Sequence, residues 1–319
     1  MTKVAILDDY LHSAMDSADW SLLPSEVTFQ VFDHPFYNQK ETVRELAGFE
    51  VIVAMRERTR FDAELLACLS GLRLLITTGM RNLAIDMEFC KQHNILVCGT
   101  RSVKRPVAST AELAWAHILS LSKKLVQSDR ELRAGRWQTA LAGTISGKTL
   151  GLVGLGKLGS QMAAIGQAFG MKVIAWSQNL DHRKAQDLGV QPVNKQELFA
   201  QADFVSLHVL LSDRTHNLVG KAELDLMQPT AYLINTARAG LVDQKALVAA
   251  LKDGRIAGAG IDVYRKEPTG QEEPLLSLNN VSMTPHLGYA TEDNFKVYYQ
   301  DVVENLFAWL EGKPIRILS

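Results

Sequence analysis

Lys148-Thr149-Leu150-Gly151-Leu152-Val153-Gly154-Leu155-Gly156-Lys157-Leu158-Gly159, running on to Trp176-Ser177, carries the strongest local signal in this 319-residue chain. Residues 149–153 read as a short buried strand, and Gly154, Gly156 and Gly159 follow at the G-x-G-x-x-G spacing. The first glycine permits a tight turn, the second lets backbone approach a pyrophosphate, and the third lets helix and strand pack closely. Leu158, Met162, Ile165 and Phe169 then recur at helical spacing, so a helix opens where an anion would sit on its free N–H groups. Gly170 ends that helix, and residues 171–176 supply a second apolar strand. Glycine triplets alone also serve structural turns; inside a complete strand–turn–helix–strand unit this one reads as a dinucleotide site.

Composition bounds what surrounds it. The length predicts about two domains. A chain that is 47% hydrophobic and 22% charged, with formal net charge −1, can bury sizeable cores and has no excess positive charge for nucleic acid or an anionic membrane. Its N-terminal apolar run is too short for a signal peptide, and no segment approaches a membrane span. Cys68, Cys90 and Cys98 fit neither a disulfide framework nor a zinc site, so they read as small core residues in a reducing, cytoplasmic setting. No metal-ligand spacing is visible.

The first hundred residues alternate candidate strands at 3–7, 27–32, 51–55, 72–77 and 95–98 with helices at 41–47, 62–69 (Asp62 as cap) and 86–93. That rhythm predicts a parallel, doubly wound sheet without a glycine triplet. One long helix is expected over 107–133, with Ala111, Trp115, Ile118 and Leu125 on one face, ending near Gly135. Beyond the glycine-rich unit, strands are expected at 204–208, 232–235, 256–263 and 281–284, and helices at 244–252 and 292–310. The long helix, with Trp115 and Trp137, reads equally as a subunit interface or as intramolecular packing.

Ligands of doubly wound sheets bind beyond the carboxyl ends of the strands. The polar residues that directly follow strands are therefore the candidates: Arg238 in Thr236-Ala237-Arg238, Glu267 in the segment 264–268, and His286 in Pro285-His286-Leu287-Gly288. In the first α/β unit the same logic selects Arg56 and Gly79-Met80-Arg81. Singly, each has a plainer reading: a surface arginine, a solvated carboxylate, a satisfied core histidine. Together they suit reduction of a carbonyl. A histidinium supplies the proton, a neighbouring carboxylate orients the ring and raises its pKa, and an arginine pairs with a substrate carboxylate.

Those motifs in this order, Gly-Leu-Gly-Lys-Leu-Gly, Ile234 to Asp243, Asp262-Val263-Tyr264 with Glu267-Pro268, and Pro285 to Gly288, resemble the D-isomer-specific 2-hydroxyacid dehydrogenases over essentially the whole chain. The resemblance implies a Rossmann cofactor domain, 101–288, inserted in a flavodoxin-like substrate domain, 1–100 with 289–319. It implies Arg238, Glu267 and His286 as the catalytic set. Gly154, Gly156, Lys157, Leu158, Gly159, Ser177, Gln178, His208, Val209, Thr236, Ala237, Asp262 and Gly288 are expected along an NAD(P) cleft, with Asp262 on the nicotinamide carboxamide. Arg56, Gly79 and Met80, with Arg238, are expected at the substrate. The family also implies a homodimer formed through 107–147, and reduction of a small 2-oxo acid such as glyoxylate or hydroxypyruvate. Rival readings are a nucleotide-sensing, co-repressor-like protein on the same fold and a formate- or phosphite-type dehydrogenase.

Several positions depart from the family pattern. Trp176-Ser177-Gln178-Asn179 carries no acid where an NAD-specific site places one, and His182-Arg183-Lys184 follow, which favours NADP over NAD. Arg183 and Lys184 are alternatively solvated helix residues. Arg81, Gly99 and Arg101 replace the usual glycine, asparagine and proline, so the two cations read as a second anion site or as solvent-facing. His208 is expected near the cleft or hinge, and His117, among the other histidines, as structural or exposed.

Overall fold

The computed structural model describes residues 1–105 and 107–318. They form two compact units, one of residues 1–104 with 290–319 and one of residues 105–289.

The first unit holds β1 (Thr2–Ile6), β2 (Val27–Val31), α1 (Gln39–Leu46), β3 (Val51–Ala54), α2 (Ala63–Cys68), β4 (Leu74–Thr77), α3 (Met87–Gln92) and β5 (Leu96–Gly99). The strands pair in parallel in the order β2-β1-β3-β4-β5, the flavodoxin-like arrangement. β3 and β4 are buried at every position, as the continuous apolar runs Val-Ile-Val-Ala and Leu-Leu-Ile-Thr require of strands covered on both faces. Asn38, Asp62 and Asp86 cap the three helices by accepting from the backbone N–H three residues on. The C-terminal segment completes this unit. Leu318 N donates to Val97 O, Gly99 N donates to Arg316 O, and Asn305 Nδ2 reaches Gly99 O.

The second unit adds α4 (Ser109–Lys123), α5 (Leu125–Arg133), β6 (Thr149–Val153), α6 (Lys157–Ala168), β7 (Lys172–Trp176), α7 (His182–Asp187), β8 (Gln191–Pro192), α8 (Lys195–Gln201), β9 (Phe204–Leu207), α9 (Lys221–Leu226), β10 (Tyr232–Asn235), α10 (Gln244–Lys252), β11 (Gly258–Ile261) and β12 (Val281–Met283). The last helix, α11 (Glu292–Leu310), belongs to the first unit. The seven strands run parallel in the order β12-β11-β10-β9-β6-β7-β8. The order reverses between β6 and β9, which places the crevice of a doubly wound sheet at the loops following those two strands.

One long helix is expected over 107–133; the chain instead forms α4 and α5, broken at Lys124, whose φ of 53° is left-handed. A lysine carries no turn signal, so neither composition nor periodicity announces the break. Among the described residues no helix is long and apolar enough to cross a membrane, and no group of histidine, cysteine and acidic residues could hold a metal.

Candidate functional site

The glycine turn is built as its spacing requires. Gly154 has φ of +100°, and a side chain there would meet His208 O at 2.7 Å and Val209 Cγ1 at 2.8 Å, so the turn and the loop after β9 touch at backbone distance. A Cβ on Gly159 would overlap Gly154 O, which is how closely α6 packs on the turn. Gly156 differs, because a Cβ there meets nothing within 4 Å. The middle glycine thus borders open space at the start of a 12-residue helix that no side chain caps. Uncapped N–H groups beside an open backbone approach are what a pyrophosphate needs. Lys157 is exposed at this helix start, while Leu158 packs partly on the core. Farther along the cleft, Thr236 is buried yet its Oγ1 has no hydrogen-bond partner among the described residues. An orphaned buried hydroxyl, an open glycine and an uncapped helix together fit a dinucleotide.

At the end of β7, Ser177 is half-buried and Gln178 and Asn179 are exposed. Asp181, the nearest acid, is occupied as the cap of α7, its Oδ1 accepting from Lys184 N at 3.1 Å. His182, Arg183 and Lys184 are exposed on that helix. His208 is half-buried, and its Nε2 lies 2.8 Å from Ser206 Oγ. Desolvation pushes its pKa down to about 4, so the ring is neutral at pH 7.

The loops after β10, β11 and β12 bring distant residues together. His286 Nδ1 lies 2.6 Å from Glu267 Oε2, with side-chain exposures of 22% and 26%. The other carboxylate oxygen, Glu267 Oε1, accepts from Tyr264 N at 2.8 Å. Burial works to raise the Glu267 pKa; the His286 contact, the Tyr264 N–H and the Arg238 charge outweigh it, so the carboxyl is lowered and stays ionised. Arg238 is half-buried, on a loop fastened by Asn235, whose amide donates to Arg238 O and accepts from Ala237 N. An ionised carboxylate bound to Nδ1 of an imidazole, with a guanidinium acting on the same carboxylate, can fix the orientation of the ring.

His286 sits at a φ of 55°, in the left-handed region. What secures that backbone is Asp262, which is fully buried. Its Oδ1 accepts from Thr284 Oγ1 at 2.6 Å and Leu287 N at 2.7 Å, and its Oδ2 from Gly288 N at 3.0 Å. Burial raises its pKa against those hydrogen bonds and the His286 charge. The expected carboxamide contact would therefore have to share oxygens already holding the histidine loop. Ser109 and Thr110, at the start of α4, both donate to Gly288 O at 2.8 Å. His117 is also part of this region: it is neither exposed nor without partners, but buried between Ser282 and Thr284. Strand-end reasoning passes over Ser109, Thr110 and His117 because they lie on a helix. The available signal is His117 three residues beyond Ala114 and six beyond Ala111, on the buried face of α4.

In the first unit, Arg56 follows β3 with a φ of 53°, and its backbone N donates to Thr78 Oγ1 at 2.9 Å. Its guanidinium lies over Gly79, where a Cβ would overlap Nη1. Met80 is half exposed. Gly99 has no space for the family's asparagine, since a Cβ there would meet Gly79 O at 2.8 Å and Met80 Sδ at 3.0 Å. Of the two extra cations, Arg101 is committed to Asp301, with Nε to Oδ1 at 3.1 Å and its backbone N to Oδ2 at 2.6 Å. Arg81 is exposed.

Comparison with known proteins agrees with this architecture. Residues 115–288 match the family model described as D-isomer specific 2-hydroxyacid dehydrogenase, NAD binding domain. A glyoxylate reductase of Thermococcus litoralis is 36% identical over 282 residues, covering 86% of this chain and 83% of that protein. A D-3-phosphoglycerate dehydrogenase of Archaeoglobus fulgidus is 32% identical over 281 residues, 88% of this chain and 53% of its own longer one. The crystal structure of a phosphoglycerate oxidoreductase from Vibrio cholerae superposes with a TM-score of 0.91 at 36% identity, covering 98% of this chain and 100% of that one. With the family model spanning more than half of the sequence and the relatives most of it, the chain belongs to the D-isomer-specific 2-hydroxyacid dehydrogenases and is a nicotinamide-dependent oxidoreductase.

Proposed function

We propose that the protein reduces small 2-oxo acids of the glyoxylate or hydroxypyruvate kind to D-2-hydroxy acids, with His286 as proton donor. The observation that carries this reading is the 2.6 Å contact between His286 Nδ1 and Glu267 Oε2, in the loops after β11 and β12. With Nδ1 held by the carboxylate, Nε2 is the nitrogen that delivers a proton to the developing alkoxide. Arg238 pairs with the substrate carboxylate and draws electron density from the adjacent carbonyl. Residues 154–159, Ser177, Gln178, His208, Val209, Thr236, Ala237 and Gly288 would hold the nicotinamide cofactor, which would supply the hydride when bound. In the first unit, Arg56, Gly79 and Met80 take the role of substrate contacts.

NADPH is the proposed preferred reductant. Support comes from the end of β7, where Ser177, Gln178 and Asn179 offer neutral donors and Asp181 is used up as a helix cap. Without a free carboxylate, nothing there repels a 2′-phosphate. The proposed assembly is a homodimer through 107–147. Trp137 and Leu141 are 76% and 91% exposed in that segment, alongside exposed Leu125, Val126 and Leu132, and such apolar exposure suits a covered surface.

Turnover of NADH and NADPH with a panel of 2-oxo acids, formate and phosphite tests the whole reading. His286→Ala is expected to lower kcat about 100- to 10,000-fold while the cofactor Kd stays within a few-fold. Unchanged turnover in that variant removes His286 from the chemistry, and activity on formate or phosphite alone replaces the substrate class.

A further inference from the structure

We propose that His117 is a positioning residue: through Thr284 and Asp262 it locks the loop that carries His286. This rests on the reading of His286 as the proton donor. His117 Nε2 lies 3.0 Å from Thr284 Oγ1, and Thr284 Oγ1 lies 2.6 Å from Asp262 Oδ1. Asp262 in turn receives Leu287 N and Gly288 N, the two amides that directly follow His286. On its other side, His117 Nδ1 lies 2.9 Å from Ser282 Oγ.

The direction of every bond in this chain follows from donor counting. An ionised Asp262 only accepts, so the single hydroxyl proton of Thr284 points to it. Thr284 Oγ1 must then accept from His117, which makes Nε2 the protonated nitrogen. Nδ1 is left as an acceptor for the Ser282 hydroxyl. A neutral ring is required for this pattern, and burial of His117 pushes its pKa down to about 4. Any other tautomer would face lone pair against lone pair inside a buried site, at the cost of an unmade hydrogen bond.

The fold makes room for this side chain at Gly260. His117 is 2% exposed, and a Cβ on Gly260 of β11 would meet its Cβ at 2.7 Å and its Cγ at 3.0 Å. The clamp has a second jaw, since Ser109 and Thr110 from the same helix hold Gly288 O. One helix thereby fixes both ends of the Leu287–Gly288 peptide segment, the N–H groups through Asp262 and the carbonyl directly. Such anchoring matters because His286 is kept in the left-handed region, which costs a non-glycine residue free energy.

The test uses the full chain. In wild-type protein, 15N spectra of the imidazoles at pH 7 should show His117 neutral with the proton on Nε2; an Nδ1–H tautomer overturns the proposal without any substitution. Thr284→Val keeps the side-chain shape and removes the hydroxyl. It is expected to speed amide exchange at Leu287 and Gly288 and to lower kcat about 10- to 100-fold, as a misplaced reacting group does, with the cofactor Kd within about threefold. His117→Leu should do the same, the double variant should be no worse than the poorer single, and Thr284→Ser and His117→Gln should restore both readouts. A Thr284→Val or His117→Leu protein with wild-type kcat, or with lowered kcat and unchanged amide protection, overturns the clamp. His286→Ala separates the two possible failures. Full turnover in it overturns the proton-donor reading and this proposal with it; its expected loss beside an unaffected Thr284→Val overturns the clamp alone.

Discussion

Thr236 Oγ1 is buried without a hydrogen-bond partner among the described residues, a cost that a bound cofactor would recover. Leaving a hydroxyl buried without a partner costs about 1–3 kcal/mol, whereas replacing it by a methyl of the same shape removes that penalty. Thr236→Val is therefore expected to melt at the same temperature as wild type or higher, while its Kd for the cofactor weakens about 5- to 10-fold, a single hydrogen bond's worth. Thermal melts with and without saturating NADPH read both effects at once. Glu267 follows a different logic because its side chain is bound to His286. Glu267→Gln keeps the volume but not the charge, so kcat should fall about 10- to 100-fold with cofactor Kd unchanged. Residues that act as a unit lose their activity together, so the His286→Ala/Glu267→Gln double variant should be no slower than His286→Ala alone. A full additive loss in that double variant would separate the pair.

The turn between β6 and α6 assigns different work to glycines that look alike in sequence. Gly159 is required by packing: a Cβ would strike Gly154 O, a backbone atom that cannot move aside. Gly156 has an ordinary extended backbone, φ −78° and ψ −155°, and open space around it. Gly159→Ala should lower stability by about 1–3 kcal/mol in chemical denaturation. Gly156→Ala should leave the midpoint in place and weaken the cofactor Kd, because the methyl occupies the approach to the pyrophosphate. Elements with strong local signals are legible in the sequence. β6, β10, α10 and α11 begin and end where apolar period and caps put them. Others are hidden for physical reasons. β8 has two residues paired only to β7, too short for any period, and the α4–α5 break falls on a lysine flanked by good helix formers. The box of Asn194 and Glu197 that starts α8 is a readable signal that an apolar-period search alone passes over. The site divides the same way. Arg238, Glu267 and His286 can be chosen from the sequence as candidates because each stands in a loop after a strand, whereas His117 meets its partners 165 and 167 positions away and no local pattern encodes that pairing.

At the scale of the molecule, buried ionisable groups set how stability depends on pH, and the sign differs between them. His117 has a folded pKa near 4 against an ordinary value of 6.5, so between those limits the unfolded chain binds a proton that the folded chain refuses. Stability therefore rises with pH across this window and is lost as pH falls from 6.5 toward 4. Integrating over pH 7 to 5 gives about 2 kcal/mol for one such histidine. His208, also near 4, acts in the same direction, and so does Glu267, whose lowered pKa gives stability that vanishes as pH falls through its folded value. Asp8 and Asp262 oppose them: burial raises both, so each holds its proton longer in the folded chain and favours the folded state as pH falls. The net acid sensitivity mixes these opposing contributions, but a difference between variants isolates one. His117→Leu has no ring to protonate in either state. The urea midpoint of wild type should fall more steeply from pH 7 to pH 5 than that of His117→Leu, the two free-energy losses differing by about 2 kcal/mol. Parallel losses in both proteins would mean that the imidazole between Ser282 and Thr284 accepts a proton at Nδ1 where it sits, with the Ser282 hydroxyl turned to accept from it, and would overturn the lowered pKa.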